Sequence, residues 1–268
     1  MGIDTIAELA QRWRQALEAW AIPPHITAQA PANPWTHTPA RFAGRTDTLL
    51  RTPIPGHTHR RAAEALPAGG TVLDVGAGTG AASLPLLPAA DARLTAVDES
   101  PAMLAELSAR CPSARVLEGR WPDVAPGAPA ADVVICSHVV FNVPDLVPFL
   151  TALHTHARRR VVVEVPERHP LSWLSPLWEH FHGLSRPTTP TYRDVAEVIA
   201  ALGHDVHVEP DVMAEPMYSS YEELAASACR RLCLPPSMAG EVAEIARNLG
   251  VDPSVRRSIV TLWWDVTR

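Results

Sequence analysis

The chain contains no lysine, and all 23 of its basic residues are arginines. Schiff-base chemistry and a lysine general base are thereby excluded. Positive charge is also in the minority, with a formal net charge of −6, so the composition lacks the basic footprint of a nucleic-acid binder. The short clusters Arg158-Arg159-Arg160, Arg230-Arg231 and Arg256-Arg257 read as solvated helix ends or strand flanks. No apolar run reaches 18 residues, so no membrane span is expected. The opening MGIDTIAELAQRW has an early acidic residue and no apolar run, which is not the pattern of a signal peptide. The four cysteines, Cys111, Cys136, Cys229 and Cys233, show no CxxC spacing. Reduced thiols in a cytoplasmic protein are the expectation.

What is present is apolar. Such residues make up 47% of 268, enough for one sizeable α/β domain with embellishments rather than two independent cores. Ile6, Leu9, Ala10, Trp13, Leu17 and Trp20 recur at helical steps. Pro23, Pro24, Pro31, Pro34 and Pro39 then forbid a long regular element until about residue 40. Short helices are expected over 41–50 and 59–66. From residue 71 the texture changes. Buried runs at 71–75, 94–97, 114–117, 133–136 and 161–165 alternate with helical patterns near 81–87, 101–109 and 145–156. Runs without strict alternation, about 20 to 30 residues apart, are what a parallel sheet covered on both faces requires. A helix over 192–202, strands over 204–209 and 258–266, and two helices within 221–249 split by Pro235-Pro236 complete the pattern. The predicted class is α/β, a doubly wound, mostly parallel seven-stranded sheet. Residues 1–57 form a helical, Pro-rich extension and a possible lid, and residues 58–268 form the main domain, with insertions at about 166–190 and 219–250. The strand IVTLWWDV serves either as an ordinary sheet member or as a pairing edge for a second subunit, so the oligomeric state stays open.

The strongest motif is VLDVGAGTG, residues 72–80. A buried strand runs into Gly76, Gly78 and Gly80, which permit a tight turn and close backbone approach to a ligand, with a helix expected to follow. With Ala81, the run also satisfies the dinucleotide fingerprint GxGxx(G/A). Two carboxylates decide between the readings. Asp74 lies inside the strand end, badly placed beside a pyrophosphate and well placed to steer a cationic ligand. Asp98 ends the second strand, where it can accept from both hydroxyls of a ribose.

The continuation VDESPAML resembles the class I (Rossmann-like) S-adenosylmethionine-dependent methyltransferases, and the resemblance covers about residues 58–164. It implies S-adenosylmethionine as cofactor and S-adenosylhomocysteine as product. Gly76, Ala77, Gly78 and Gly80, with Asp74, would lie by the methionine portion. Asp98, next to Glu99, would hold the ribose, and Met103 would pack on adenine. Gly119, Arg120 and Trp121 end the third strand beside the adenine, and Ser137 and His138 end the fourth strand by the methyl group. Many members carry Asp where this chain has Arg120, which cannot accept a hydrogen bond. Adenine recognition then falls to backbone groups, with the Trp121 indole as a wall. The run HPLSWLSPLWEHFHGLSRPTTPTYRDVAEVIAALG is similar to that of actinobacterial-type members and adds no function.

In that fold the acceptor meets the methyl group near the end of the fourth strand. His138 is the candidate general base for a hydroxyl, since imidazole titrates near neutrality. The alternative is that it only shapes the pocket. The (D/N)PP(Y/F) clamp of nucleic-acid and protein N-methyltransferases is absent, CSHVVFN standing in its place. Cys136 lacks a neighbouring proline and reads as a buried small residue. No metal is expected: His57/His59, His154/His156 and His180/His182 are each two apart, and on a helix such pairs diverge. In the insertion, Leu174, Leu177, Trp178, Phe181 and Leu184 form one stripe, leaving His180, His182 and Arg186 to line an acceptor pocket. Arg41 or Arg45 is placed near the cofactor carboxylate. The favoured expectation is methyl transfer to a small organic acceptor, on oxygen or nitrogen. The rivals are an RNA- or ribosome-modifying methyltransferase, marked by a basic stripe of Arg41, Arg45, Arg51, Arg60 and Arg61, an NAD(P)-dependent oxidoreductase, and a cofactor-binding protein without catalysis.

Overall fold

The computed structural model describes residues 4–35, 39–51 and 56–267, the side chains of Ala40 and Arg41 excepted. Four helices precede the sheet: α1 (Ile6–Glu18), α2 (Pro24–Thr27), α3 (Pro39–Leu49) and α4 (His57–Ala65). The alternating section runs β1 (Thr71–Val75), α5 (Leu87–Ala90), β2 (Arg93–Asp98), α6 (Pro101–Arg110), β3 (Arg115–Glu118), β4 (Ala131–Ser137), α7 (Leu146–His156) and β5 (Ala157–Pro166). Then come α8 (Ser175–His182), α9 (Tyr192–Ala201), β6 (His207–Val212), α10 (Tyr221–Arg231), α11 (Ala239–Asn248) and β7 (Ser258–Asp265).

The strands form one seven-stranded sheet in the order β3-β2-β1-β4-β5-β7-β6. The first five are mutually parallel, and β7 is antiparallel to both β5 and β6. The run IVTLWWDV is thus paired on both sides, and β6 rather than β7 ends the sheet. β1, β2, β4 and β5 lie where the buried runs place them, because strands covered on both faces are largely apolar without strict alternation. β3 lies in its expected place but at the sheet edge, and its residues are mostly exposed rather than buried. Leu73, Val75, Val134, Cys136, Val161 and Val163 face a core shared with Leu9 and Trp13 of α1, Leu150 of α7 and Val195 of α9. Val72, Val133, Ile135 and Val162 face the other way, onto Ala62 of α4 and Leu104 and Leu107 of α6. By the strand period of two, Asp74 and Glu164 share this second face.

Two features depart from expectation. The segment after the glycine loop is not a helix over 81–87: residues 81–83 turn, Leu84–Leu86 make a single 3-10 turn, and only Leu87–Ala90 is α-helical. Pro85 and Pro88 account for this, since each removes an amide donor and crowds the preceding turn. The other departure is a third cluster off the sheet, where the two insertions pack on each other and on the N-terminal segment. It contains Ile22, Ile26, Leu174, Leu177, Trp178, Leu224, Ala228 and Val242. Trp20 Nε1 donates to the Thr189 carbonyl at 2.7 Å, fastening the same joint. Among the described residues, no helix is long and apolar enough to cross a membrane.

Candidate active site

The parallel strands β1, β2 and β4 end together, and the glycine loop turns across them. Gly76 takes φ +71°, and a Cβ there would fall 2.1 Å from Cγ2 of Val139, which follows β4. That glycine is required by the protein's own packing. At Gly78 (φ +53°) a Cβ would meet nothing within 4 Å, so this is the loop position open to a ligand. The loop amides are already engaged: Gly76 and Ala77 donate to the Val97 carbonyl at 2.8 and 3.0 Å, and Gly80 donates to Ala77 at 2.9 Å. Gly78 N–H donates to Asp98 Oδ2 at 2.8 Å. A pyrophosphate cradle needs converging free N–H groups at a helix start, and here those four donors are spent and the helix is broken.

Asp98 binds the loop with one oxygen and accepts from Ser100 N–H with the other, at 2.9 Å. Each oxygen keeps a lone pair, and the residue is partly exposed, so the arrangement fits a diol as a further donor. Ser100 caps α6, on which Met103 is buried. Asp74 is fully buried beneath the loop and accepts from Ser83 Oγ at 2.6 Å, while its Oδ1 has no partner. Burial drives its pKa up to about 7, Ser83 works against this, and the Asp98 charge adds to it. Its position is under the floor of the site rather than at the mouth.

The end of β4 carries the second constellation. His138 sits at φ +60°, a left-handed conformation that costs a non-glycine residue about 1 kcal/mol. Its N–H donates to the Glu164 carbonyl at 2.9 Å, and its Nε2 lies 3.0 Å from Glu164 Oε1. Oε1 also accepts from Ser137 Oγ at 2.9 Å, and Oε2 accepts from Thr58 Oγ1 at 2.7 Å. Thr58 in turn meets the Thr261 hydroxyl at 2.7 Å. Burial alone would raise the Glu164 pKa, but His138, Arg45 and Thr58 together hold the carboxyl well below the usual range. Arg45 arrives from α3 with Nη2 3.4 Å from His138 Nε2. On the next residue of the same helix, buried Thr46 Oγ1 lies 2.7 Å from Thr79 Oγ1 of the glycine loop. Asp47 pairs with Arg110 of α6 at 2.9 Å. Helix α3 therefore spans the site from loop to strand end.

Asp74, the loop residues 76–80, Asp98, Ser137 and His138 thus converge on one set of strand ends. Gly119 joins them through its N–H, which donates to the Asp98 carbonyl at 3.0 Å. Glu99 and Arg120 are exposed. The Trp121 indole turns into the core, edge-on to His156 at 4.9 Å, so backbone is what this turn offers a ligand. His180, His182 and Arg186 do not join the cluster. His180 is exposed, His182 Nε2 contacts the Leu232 carbonyl at 2.7 Å, and Arg186 bonds the Trp20 carbonyl between the Trp20 and Trp178 rings. The Arg41 side chain lies outside the described residues. Sequence reasoning passed over Thr58, Thr261 and the role of Glu164. The available signal was a lone polar residue inside each of the apolar runs VVVEVP and IVTLWW. Among the described residues, no group of three His, Cys, Asp or Glu could hold a metal ion.

Residues 72–160 match the family model described as "Methyltransferase domain". No curated protein matches the sequence significantly. Among solved structures, a cyclopropane-fatty-acyl-phospholipid synthase-like protein from Lactobacillus casei is similar at 15% identity, with TM-score 0.56 over 94% of this chain and 99% of that one. Magnesium protoporphyrin IX methyltransferase from Synechocystis PCC 6803, solved with bound S-adenosylhomocysteine, is similar at 16% identity, with TM-score 0.51 over 85% and 84%. At such identities these likenesses speak for the fold alone. The matched segment runs from β1 to the start of β5 and contains the glycine loop, Asp74 and Asp98 but not Glu164, so this part of the chain is a methyltransferase domain.

Proposed function

We propose that the protein methylates a hydroxyl of a small organic acceptor, with His138 taking the proton. S-adenosylmethionine supplies an electrophilic methyl group and departs as S-adenosylhomocysteine. Gly78 and the backbone at 119–121 would hold it, with Asp98 on the ribose and Met103 by the adenine. The observation that carries the reading is His138: it stands at the end of β4 in a strained backbone, part-exposed, with a carboxylate behind its ring. Strain held in place by surrounding structure is typical of functional residues. A hydroxyl needs its proton removed as it attacks, and a neutral imidazole is the side chain suited to that near pH 7. Helix α3 would roof the site and exclude water, as in-line displacement favours.

A nucleic-acid acceptor finds less support. Within the stripe of arginines that such an acceptor would need, Arg45 turns inward to His138 and Arg61 is committed to Glu209 and Glu64. The test is calorimetry with S-adenosylmethionine, S-adenosylhomocysteine and NAD, followed by turnover on a panel of small phenols, alcohols and amines. The expected result is binding of the first two ligands only, turnover on hydroxyl acceptors, and loss of about 10²-fold or more in His138→Ala with S-adenosylhomocysteine affinity kept. Turnover confined to amines, or undiminished in His138→Ala, would refute the proposal.

A further inference from the structure

Glu164 holds His138 twice, by its backbone carbonyl and by its carboxylate. We infer that Glu164 is a positioning residue that fixes His138 as the Nε2–H tautomer, so that Nδ1 is the atom that receives the acceptor's proton. This rests on the reading of His138 as the base. The argument is one of counting hydrogens. An ionised carboxylate has none to give, so every polar neighbour must donate to it. Ser137 and Thr58 each have one hydroxyl hydrogen, and both point at Glu164. Thr58 has then spent its hydrogen, so the 2.7 Å contact with Thr261 is donated by Thr261. His138 Nε2, 3.0 Å from Oε1, must likewise carry a hydrogen, because two facing lone pairs would repel.

Arg45 is the competing partner. A guanidinium only donates, so its Nη2, 3.4 Å from Nε2, could bond the ring only if Nε2 were bare. The closer carboxylate oxygen at 3.0 Å decides against that, and the Arg45 charge then acts on the carboxylate behind. The alternative, with Arg45 donating to a bare Nε2, would leave Glu164 Oε1 against a lone pair and is the poorer solution. With Nε2 bound, Nδ1 is the ring's only basic atom. It has no protein partner among the described residues and is not a buried atom left unsatisfied. Protonation of Nδ1 during turnover would create an imidazolium whose other N–H already points at an anion. Glu164 therefore stabilises the charged ring without taking its proton, because the donors around the carboxylate favour its ionised form.

The tautomer can be read directly, without acceptor or cofactor, by nitrogen-15 NMR of the imidazole of His138 in the full chain at a pH where the ring is neutral. The expected result is a dominant Nε2–H form in the wild type and a mixture in Glu164→Gln, with Glu164→Asp restoring part of the preference. A wild-type ring protonated on Nδ1 overturns the inference whatever the variants do, and so does a tautomer unchanged in a folded Glu164→Gln. Turnover separates this from the parent reading. If His138→Ala stays fully active, the base role fails even where the tautomer is as stated. If His138→Ala is inactive but Glu164→Gln keeps both turnover and pH profile, only the role of Glu164 fails.

Discussion

Two buried carboxylates, Asp74 in β1 and Glu164 in β5, lie on the same face of one sheet and respond to burial in opposite ways. Asp74 is pushed up to about 7, whereas Glu164 is held far below its usual range. Their burial is comparable, 0% and 7% exposed, so depth does not decide the sign. Donors do. Asp74 receives one hydroxyl and has Asp98 as a neighbouring anion, while Glu164 receives two hydroxyls and lies 3.0 Å from the His138 ring nitrogen, with the Arg45 guanidinium nearby. A buried site with enough donors keeps its charge, and one without them favours the neutral form.

Taking Glu164 away should have the largest effect. Glu164→Ala leaves three donors and an arginine without their anion, and unfolding in urea at pH 8 should show a loss of about 3–5 kcal/mol. A loss under 1 kcal/mol would mean that the donors find water and that the contrast is overstated. Asp74→Asn should act in the opposite direction. Because the folded pKa of Asp74 is raised, its contribution is fully present below the unfolded value near 4 and is lost as pH climbs through about 7. The wild type should thus lose stability over that window relative to Asp74→Asn. The gap should reach roughly 2–4 kcal/mol at pH 8. Parallel pH–stability curves for the two proteins would exclude a raised pKa. Thr58→Val is the smallest and sharpest test, removing one donor from Glu164 while keeping its shape. It should cost about 1.5–3 kcal/mol at pH 8, and because the Glu164 carboxyl is held well below the usual range the cost should persist through pH 4 and shrink only in stronger acid.

Much of this was legible in the chain. The parallel strands announced themselves as short, largely apolar runs without strict alternation, and Gly76, Gly78, Asp74 and Asp98 marked the turn at which the strand ends converge. What escaped was non-local. Thr58 and Glu164 are 106 residues apart and Thr58 and Thr261 are 203 apart, and no periodicity links them. The sequence offers helix α3 as part of a lid with Arg41 or Arg45 near the cofactor, but not its partners, which are His138 for Arg45 and Thr79 for Thr46. Left over from the apolar stripe, His182 and Arg186 suggest a pocket lining. They instead satisfy backbone carbonyls where the insertions meet the N-terminal segment, a demand visible only once that joint is assembled. The interrupted helix after the glycine loop has its signal in Pro85 and Pro88, which outweigh the fingerprint.

That interruption has an electrostatic consequence. An unbroken helix beginning at the loop would set about half a positive charge at its first turn, welcome to a phosphate and adverse to a sulfonium. Cut into a turn, a 3-10 turn and a four-residue helix, the segment sums few peptide dipoles in any one direction. The local field is left to side chains, the carboxylates at 98 and 99 against the guanidinium of Arg45, and the exposed part of it fades as ionic strength rises.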